Sequence, residues 1–381
     1  MIILEKPYVS DYLLKYLASN KIPVLANEYA VSNTRGNTLN FIRTKEAVKR
    51  YHDGERLYTV SENALDWIYT NLPDGELVHK ISILKDKATF RKTVSDLYPD
   101  LFFEEVTLDQ LRSGDHTKIP YPVILKPSVG FFSVGVYALF NEDDLRTAVS
   151  DIEANIQKWA ADFPETVIGS KFLLEQYIRG TEYAIDAYYD TEGKPVILNI
   201  LTHRFASECD VRDRIYYTSA EIMQEYLQPF TRFLERINTQ LRITDFPMHI
   251  EVRVTEDDII PIEFNPLRFA GSCSTDIAYF AYGINTVDCY LNQIKPDFDD
   301  IIGKKLGKIY SMILLDKGGK EIDSDRFNYG KLYTEFEHVL DVRKVEAPEM
   351  GLFAFLFTET SVVNEQELDK ALVSDFSEYL F

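Results

Sequence analysis

Residues 248–265 read Met-His-Ile-Glu-Val-Arg-Val-Thr-Glu-Asp-Asp-Ile-Ile-Pro-Ile-Glu-Phe-Asn. Met248, Ile250, Val252 and Val254 alternate with His249, Glu251 and Arg253, the pattern of a half-buried strand. Glu256-Asp257-Asp258 reads as a turn, and Ile260, Ile262 and Phe264 then alternate with Pro261, Glu263 and Asn265. A hairpin centred on Asp257 places Ile250 opposite Phe264, Val252 opposite Ile262 and Val254 opposite Ile260, so every apolar residue meets another. The same register sets Glu251 opposite Glu263 and His249 opposite Asn265 on the other face. Like charges directly opposite destabilise a strand pair. At ~5 Å and an effective dielectric of ~20 the repulsion is about 3 kcal/mol. A cation between them removes that cost, and two carboxylates with an amide oxygen are the hard ligands that suit Mg²⁺ alongside nucleotide phosphates. The plain alternative is an acidic, solvated edge that discourages aggregation.

Two further segments carry chemistry. Lys126 ends an apolar strand and leads into Pro127-Ser128-Val129-Gly130-Phe131-Phe132-Ser133-Val134-Gly135. Glycines let backbone N–H groups approach an anion, and an adjacent lysine holds a phosphate as a point charge. The lysine precedes the glycines, so this is not a Walker A loop. An ordinary glycine-bearing hairpin is the alternative. Phe172-Leu173-Leu174-Glu175-Gln176-Tyr177-Ile178 is an apolar strand with one acid, and Glu182 follows past Gly180. An extended backbone can read an adenine edge and a carboxylate can accept ribose hydroxyls. Two solvated glutamates are the alternative.

The rest of the chain sets the context. Ile2–Leu4, Ile22–Ala26 and Leu57–Val60 read as buried strands, with Ser10 capping the first helix and Ser61 opening another, a parallel α/β layer without a Gly-x-Gly-x-x-Gly turn. A helix spans about 219–241, with Pro229 expected to kink or split it. After about residue 305 come two strands and a closing helix near 365–379. The 381 residues suffice for two or three domains. Lys and Arg total 41 against 61 Asp and Glu, a net charge of −20, which disfavours nucleic acid and anionic membranes as partners. Cys209, Cys273 and Cys289 form no Cys-x-x-Cys pair, and a reducing cytoplasm is the simplest setting.

Taken in order, these segments resemble the ATP-grasp superfamily over about residues 85–271. The resemblance implies a mixed α/β and α+β architecture. A pre-ATP-grasp α/β domain occupies 1–84 and a two-subdomain ATP-grasp fold 85–300, divided into lid-bearing 85–174 and metal-bearing 175–300. A small C-terminal α+β module covers 301–381. Lys87 and Lys126 match the family's nucleotide lysines, and Ser128, Gly130, Ser133 and Gly135 its lid loop. Glu175, Gln176, Tyr177 and Ile178 match the adenine hinge, with the glutamate facing the adenine amino group and backbone groups at Gln176 and Ile178 reading the ring. Glu182 matches the ribose carboxylate, and Glu251, Glu263 and Asn265 match the metal set. Arg268 matches a basic residue at the transferred phosphate or substrate carboxylate. A second basic position is open among Arg204, Arg212 and Arg214. Phe131 and Phe132 depart from the small residues common in the lid. The implied activity is ATP-dependent ligation of a small-molecule carboxylate to an amine, less often a thiol, through an acyl phosphate. ATP is the nucleotide and Mg²⁺ the metal, with Mn²⁺ as an alternative. Gly271-Ser272-Cys273-Ser274-Thr275 is expected to open a helix near the reacting group. A phosphotransferase and a non-catalytic nucleotide sensor are the rival readings, and the oligomeric state stays open, a homodimer included.

Overall fold

The hairpin forms with strands Phe246–Val254 and Ile259–Pro266. It lies at one edge of an eight-stranded sheet in a computed structural model of the chain. The structure describes residues 1–73, 75–114, 116–129, 135–162, 171–204, 214–316, 326–345 and 351–380. The lid residues Gly130 to Val134, with Ser133 among them, and Arg212 lie outside this set.

Near its open end the hairpin keeps the expected register: Met248 faces Pro266, His249 faces Asn265, Ile250 faces Phe264 and Glu251 faces Glu263. Near the turn it does not. Val252 faces Pro261 rather than Ile262, and Val254 faces Ile259 rather than Ile260. The reason is the turn itself. The Thr255 N–H donates to the Asp258 carbonyl (3.0 Å), and the Thr255 hydroxyl accepts from the Asp257 and Asp258 N–H groups (3.2 and 3.0 Å). That four-residue turn is centred half a residue earlier than Asp257. A bulge after Glu251 absorbs the extra residue, Ile262. Without it Glu251 would face Ile262, and the acidic row would be mismatched.

The eight strands run in the order Ile259–Pro266, Phe246–Val254, Thr181–Tyr189, Pro195–Arg204, Ile215–Ser219, Lys308–Asp316, Leu352–Ser361 and His338–Lys344, all antiparallel. The 301–381 stretch, expected as a small module, thus adds three strands to the central sheet rather than building its own. Arg214 fastens this extension: its Nε donates to Asp316 (2.8 Å), and its Nη1 to the carbonyls of Leu372 (2.9 Å) and Ser374 (2.8 Å). The closing helix is shorter than expected, Gln366–Val373, followed by a 3₁₀ turn, Phe376–Tyr379.

Helix Ala220–Leu241 covers one face of the sheet, burying Met223, Phe230, Phe233, Leu234 and Ile237. Ser219 caps it, and it runs through Pro229 without splitting. The Tyr183 ring meets those of Tyr226 and Phe230 (4.4 and 5.7 Å), which fixes this as the apolar face. The acidic row of the hairpin therefore looks the other way.

A second, antiparallel sheet has the order Phe103–Thr107, Lys171–Gln176, Val123–Pro127 and Tyr137–Leu139. The proposed boundary at 174/175 falls inside its strand Lys171–Gln176. The N-terminal sheet is parallel, in the order Asn40–Ile42, Pro23–Leu25, Ile2–Ile3 and Tyr58–Thr59. Its edge strand Asn40–Ile42 was not legible in the sequence: only Ile42 of its three residues is buried. Helices Gly75–Lys85 and Lys87–Val94 link the first sheet to the other two, and the first of them packs along the open edge strand Ile259–Pro266. Covering an edge in this way blocks strand addition. Among the described residues no helix is long and apolar enough to cross a membrane.

Replacing Arg214 by Met should remove its hydrogen bonds to the carbonyls of Leu372 and Ser374 and its ion pair with Asp316. We expect a loss of about 2–4 kcal/mol in denaturant unfolding.

Candidate functional site

Three carboxylate-centred clusters meet where the sheets converge. In the first, Glu251 and Glu263 face each other across the hairpin, with Asn265 buried two pairs further on, on the same face. The Lys87 Nζ lies 2.9 Å from Glu263 Oε1. Lys87 owes this position to local structure. Asp86 caps helix Lys87–Val94 by accepting from the Thr89 N–H (2.6 Å), and the Lys87 N–H donates to the Ser128 carbonyl (2.9 Å). The bare repulsion expected from the register is therefore relieved on one side. Burial alone would raise the Glu263 carboxyl, but Lys87 and then Lys85 hold it below its ordinary range. Glu251 carries the remaining cost: burial first, and the Glu263 charge next, push it up to about 7. Behind it, His249 Nδ1 bonds Asp186 Oδ1 (2.9 Å), which also accepts from the Ala270 N–H (2.8 Å). His249 is thus a structural histidine.

The second cluster centres on Glu175. Its carboxylate does not point away as a free adenine contact: Oε2 accepts from Arg91 Nε (2.7 Å) and Oε1 pairs with the Lys126 ammonium. Lys126 and Glu175 share a face of the second sheet because Lys126 pairs with Leu173 and Ile124 pairs with Glu175. Arg91 lies one helical turn beyond Lys87 and so shares its helix face. The sequence reading missed it, although that four-residue spacing was the available signal. The Ser128 side chain is buried, and its hydroxyl has no partner among the described residues. Gly135 has φ of 73°, a conformation that favours glycine.

Along the hinge, the Gln176 N–H donates to the Phe102 carbonyl (2.9 Å) and the Tyr177 N–H to the Pro122 carbonyl (3.1 Å). Arg253 holds the far end, donating to the Ile178 carbonyl and to Glu182 Oε2, both at 2.9 Å. Gly180 between them is required: a Cβ there would sit 2.3 Å from the Val254 carbonyl oxygen.

The third cluster joins the N-terminal sheet to the site. Arg268 Nη2 donates to Glu62 Oε1 (2.8 Å), and the Lys85 ammonium pairs with Glu62 Oε2. Glu62 follows Ser61, whose hydroxyl caps the 3₁₀ turn Glu62–Ala64. The Thr59 N–H to Leu267 carbonyl bond (2.8 Å) seats the first sheet against the chain leaving the hairpin. Glu62 was not singled out from the sequence, since nothing local marks it as a partner of a residue 206 positions away.

Other expected residues lie elsewhere. Arg204 pairs with Asp369 (2.6 Å) and Glu365 (3.4 Å), and Arg214 is structural, so neither reaches the cleft. Gly271–Thr275 opens a 3₁₀ turn, Ser274–Asp276, that runs directly into the short helix Ile277–Tyr282, and the Ser274 and Asp276 N–H groups are already taken by the Gly271 and Cys273 carbonyls. Burial pushes the Cys273 thiol well above its usual range, so it supplies no thiolate. Among the described residues no three His, Cys, Asp or Glu side chains cluster as a metal site. The hairpin's two carboxylates and amide oxygen are a different set, suited to a cation that takes its other ligands from elsewhere.

Residues 119–276 match the family model of the ATP-grasp domain. The chain carries an ATP-grasp domain. Solved structures extend the likeness beyond that domain to the whole chain. An L-amino acid ligase from Bacillus licheniformis matches with a TM-score of 0.70 and 16% identity, over 100% of this chain and 97% of the other. An N5-carboxyaminoimidazole synthase from Aspergillus clavatus, in complex with ADP and 5-aminoimidazole ribonucleotide, matches at 0.64 and 12%, over 99% and 98%. A biotin carboxylase from Campylobacter jejuni matches at 0.63 and 13%, over 94% and 87%. At these identities the likeness is one of fold. Within the ATP-grasp fold of this chain, the three clusters line the junction between its two antiparallel sheets and the N-terminal sheet.

The ion pairs fix an acid response. Against the effect of burial, Arg91 and Lys126 hold Glu175 at about 2, and Lys85 and Arg268 hold Glu62 at about 2, each below an ordinary value of 4.5. The unfolded chain thus binds more protons than the folded one between these values. The stabilisation is complete above about pH 4.5 and is lost as the pH falls towards 2. Denaturant unfolding at a series of pH values should show this fall, on the order of 3 kcal/mol per group. Glu62→Gln should make the slope shallower.

Proposed function

We propose that the protein is an ATP-dependent ligase joining a small-molecule carboxylate to an amine through an acyl phosphate, with release of ADP and phosphate. The observation that carries this reading is the in-register Glu251–Glu263 pair, with Asn265 beside it and Lys87 and Arg268 directed at its surroundings. The fold match to an L-amino acid ligase over nearly the full length of both chains supports it.

In this reading Glu251, Glu263 and Asn265 hold Mg²⁺, or Mn²⁺ in its place, which neutralises phosphate charge when bound. The chain's own groups do the rest. Lys87 and Lys126 exchange their carboxylate partners for phosphate oxygens. Glu182 accepts the ribose hydroxyls, and the backbone from Gln176 to Ile178 lies along the adenine. A substrate carboxylate oxygen attacks the terminal phosphorus, and the bond to the ADP oxygen breaks with its electron pair leaving on ADP. Arg268, held by Glu62, meets the charge that grows on the transferred group. The amine then attacks the acyl carbon, loses a proton, and phosphate departs with the C–O electron pair. The role of the protein is positioning and charge neutralisation.

Two experiments test the reading. With its carboxylate present the enzyme should form ADP and phosphate, and hydroxylamine in place of the amine should trap a hydroxamate. AMP and pyrophosphate would defeat it, a stable phosphorylated product would indicate a phosphotransferase, and tight Mg-ATP binding without turnover on any carboxylate would indicate a sensor. Arg268→Ala should lower kcat by roughly 10²–10³ while changing the KM for ATP little.

The metal set has its own readout. Glu251→Gln keeps the Lys87–Glu263 pair and removes the carboxyl that is pushed up to about 7. In the wild type that carboxyl keeps a proton in the folded chain which the unfolded chain has lost, so its contribution to stability falls as the pH rises from about 4.5 to 7. A cation on Glu251 offsets that loss. The rise in Tm produced by Mg²⁺ with ADP should therefore be larger at pH 8 than at pH 5.5, and Glu251→Gln should abolish the difference along with turnover.

A further inference from the structure

The Arg91 guanidinium is 2% exposed, and of its three nitrogens only Nε has a partner among the described residues. Nη1 and Nη2 are both buried without an acceptor. Buried donors in folded proteins are satisfied almost without exception, and a charged donor left unpaired is costly. Both atoms are shielded from solvent, so a ligand oxygen reaches them only when the surrounding side chains shift.

Local charge shows what would satisfy them. Glu175 is the one carboxylate that serves both Arg91 and Lys126, so two cations share a single negative charge. Burial pushes the Lys126 ammonium below its ordinary range. Glu175 opposes this, and the charges of Arg91 and Lys87 add to it. Lys87 itself is neutralised by Glu263. The Arg91–Glu175–Lys126 group is thus left with one excess positive charge at the wall of the cleft. A guanidinium with one edge engaged and two adjacent N–H₂ groups free presents a fork that matches two oxygens of an anion. Adenine offers ring nitrogens but no charge, whereas a phosphoryl group offers both charge and paired oxygens. Ser128 adds a buried hydroxyl without a partner next to the same strand end.

We propose that Arg91 is a nucleotide-binding residue whose Nη1 and Nη2 donate to phosphoryl oxygens of the bound nucleotide, while its Nε keeps Glu175 in place. This rests on the reading of the cleft as an ATP site and adds a third cation, on the helix that carries Lys87, to the two lysines. Glu175 then orients the Arg91 fork, which gives its buried carboxylate a function apart from the adenine.

The test is a set of binding titrations with Mg-ADP and with adenosine, on the full chain and on Arg91→Gln and Arg91→Lys. Arg91→Gln should weaken Mg-ADP about 10- to 100-fold, the loss of a charge-assisted contact, and leave adenosine within about twofold. Arg91→Lys can still pair with Glu175 and should recover the thermal stability of the wild type, but it lacks the fork and should not recover Mg-ADP affinity. Wild-type affinity in Arg91→Gln, an equal loss for adenosine, or full recovery by Arg91→Lys would each overturn the assignment while leaving the ATP site standing. A wild-type chain that binds neither ligand would overturn both.

Discussion

Two glutamates held face to face across a strand pair are the constraint around which the structure is arranged. A β-hairpin does not tolerate that pairing for its own sake. Here the chain maintains it: the tight turn closed by Thr255 would shift the register by one residue, and the bulge at Ile262 shifts it back. The cost is then distributed. Lys87 neutralises Glu263, and Glu251 meets the remainder by resisting ionisation. A pair kept in register at such expense, with Lys87 on one member and the other resisting ionisation, is the observation on which the proposed cation site rests.

The same logic extends outward from the hairpin. Each cation of the cleft is held by a carboxylate from a different part of the chain: Lys87 by Glu263, Lys126 by Glu175, Arg268 by Glu62. These contacts join the central sheet, the second sheet and the N-terminal sheet at one point. They give the cleft its strength in neutral solution and its sensitivity to acid. They also immobilise the basic side chains, the preorganisation that the proposed phosphoryl transfer demands. Arg91 completes the pattern, because two of its guanidinium nitrogens are buried without a partner among the described residues.

The C-terminal strands have a quieter role. By pairing through Lys308–Asp316 onto Ile215–Ser219 they lengthen the central sheet, and the Arg214 anchor ties the closing helix to it. The segment that was expected to stand as a module is thus part of the scaffold that keeps the acidic hairpin's sheet rigid.

The sequence by itself determined the local pieces. Alternation fixed the two strands of the hairpin and the faces of their side chains, whereas the meeting of Glu251 with Glu263, expected from a turn centred on Asp257, is kept in the structure by the bulge. It also marked Ser10 as a helix cap and Lys126 as the end of a strand, since each depends only on neighbours within a few residues. Tertiary structure decided the rest. The bulge depends on a side chain–backbone turn that alternation does not reveal. The pairing of Glu175 with Arg91 and Lys126, and of Arg268 with Glu62, joins residues 84 and 206 positions apart in the two arginine contacts. Charge pairing at that separation leaves no period in the sequence. It arises only when three sheets bring their charged ends into one poorly solvated cleft, where every cation must find an anion and Arg91 finds only half of what it needs.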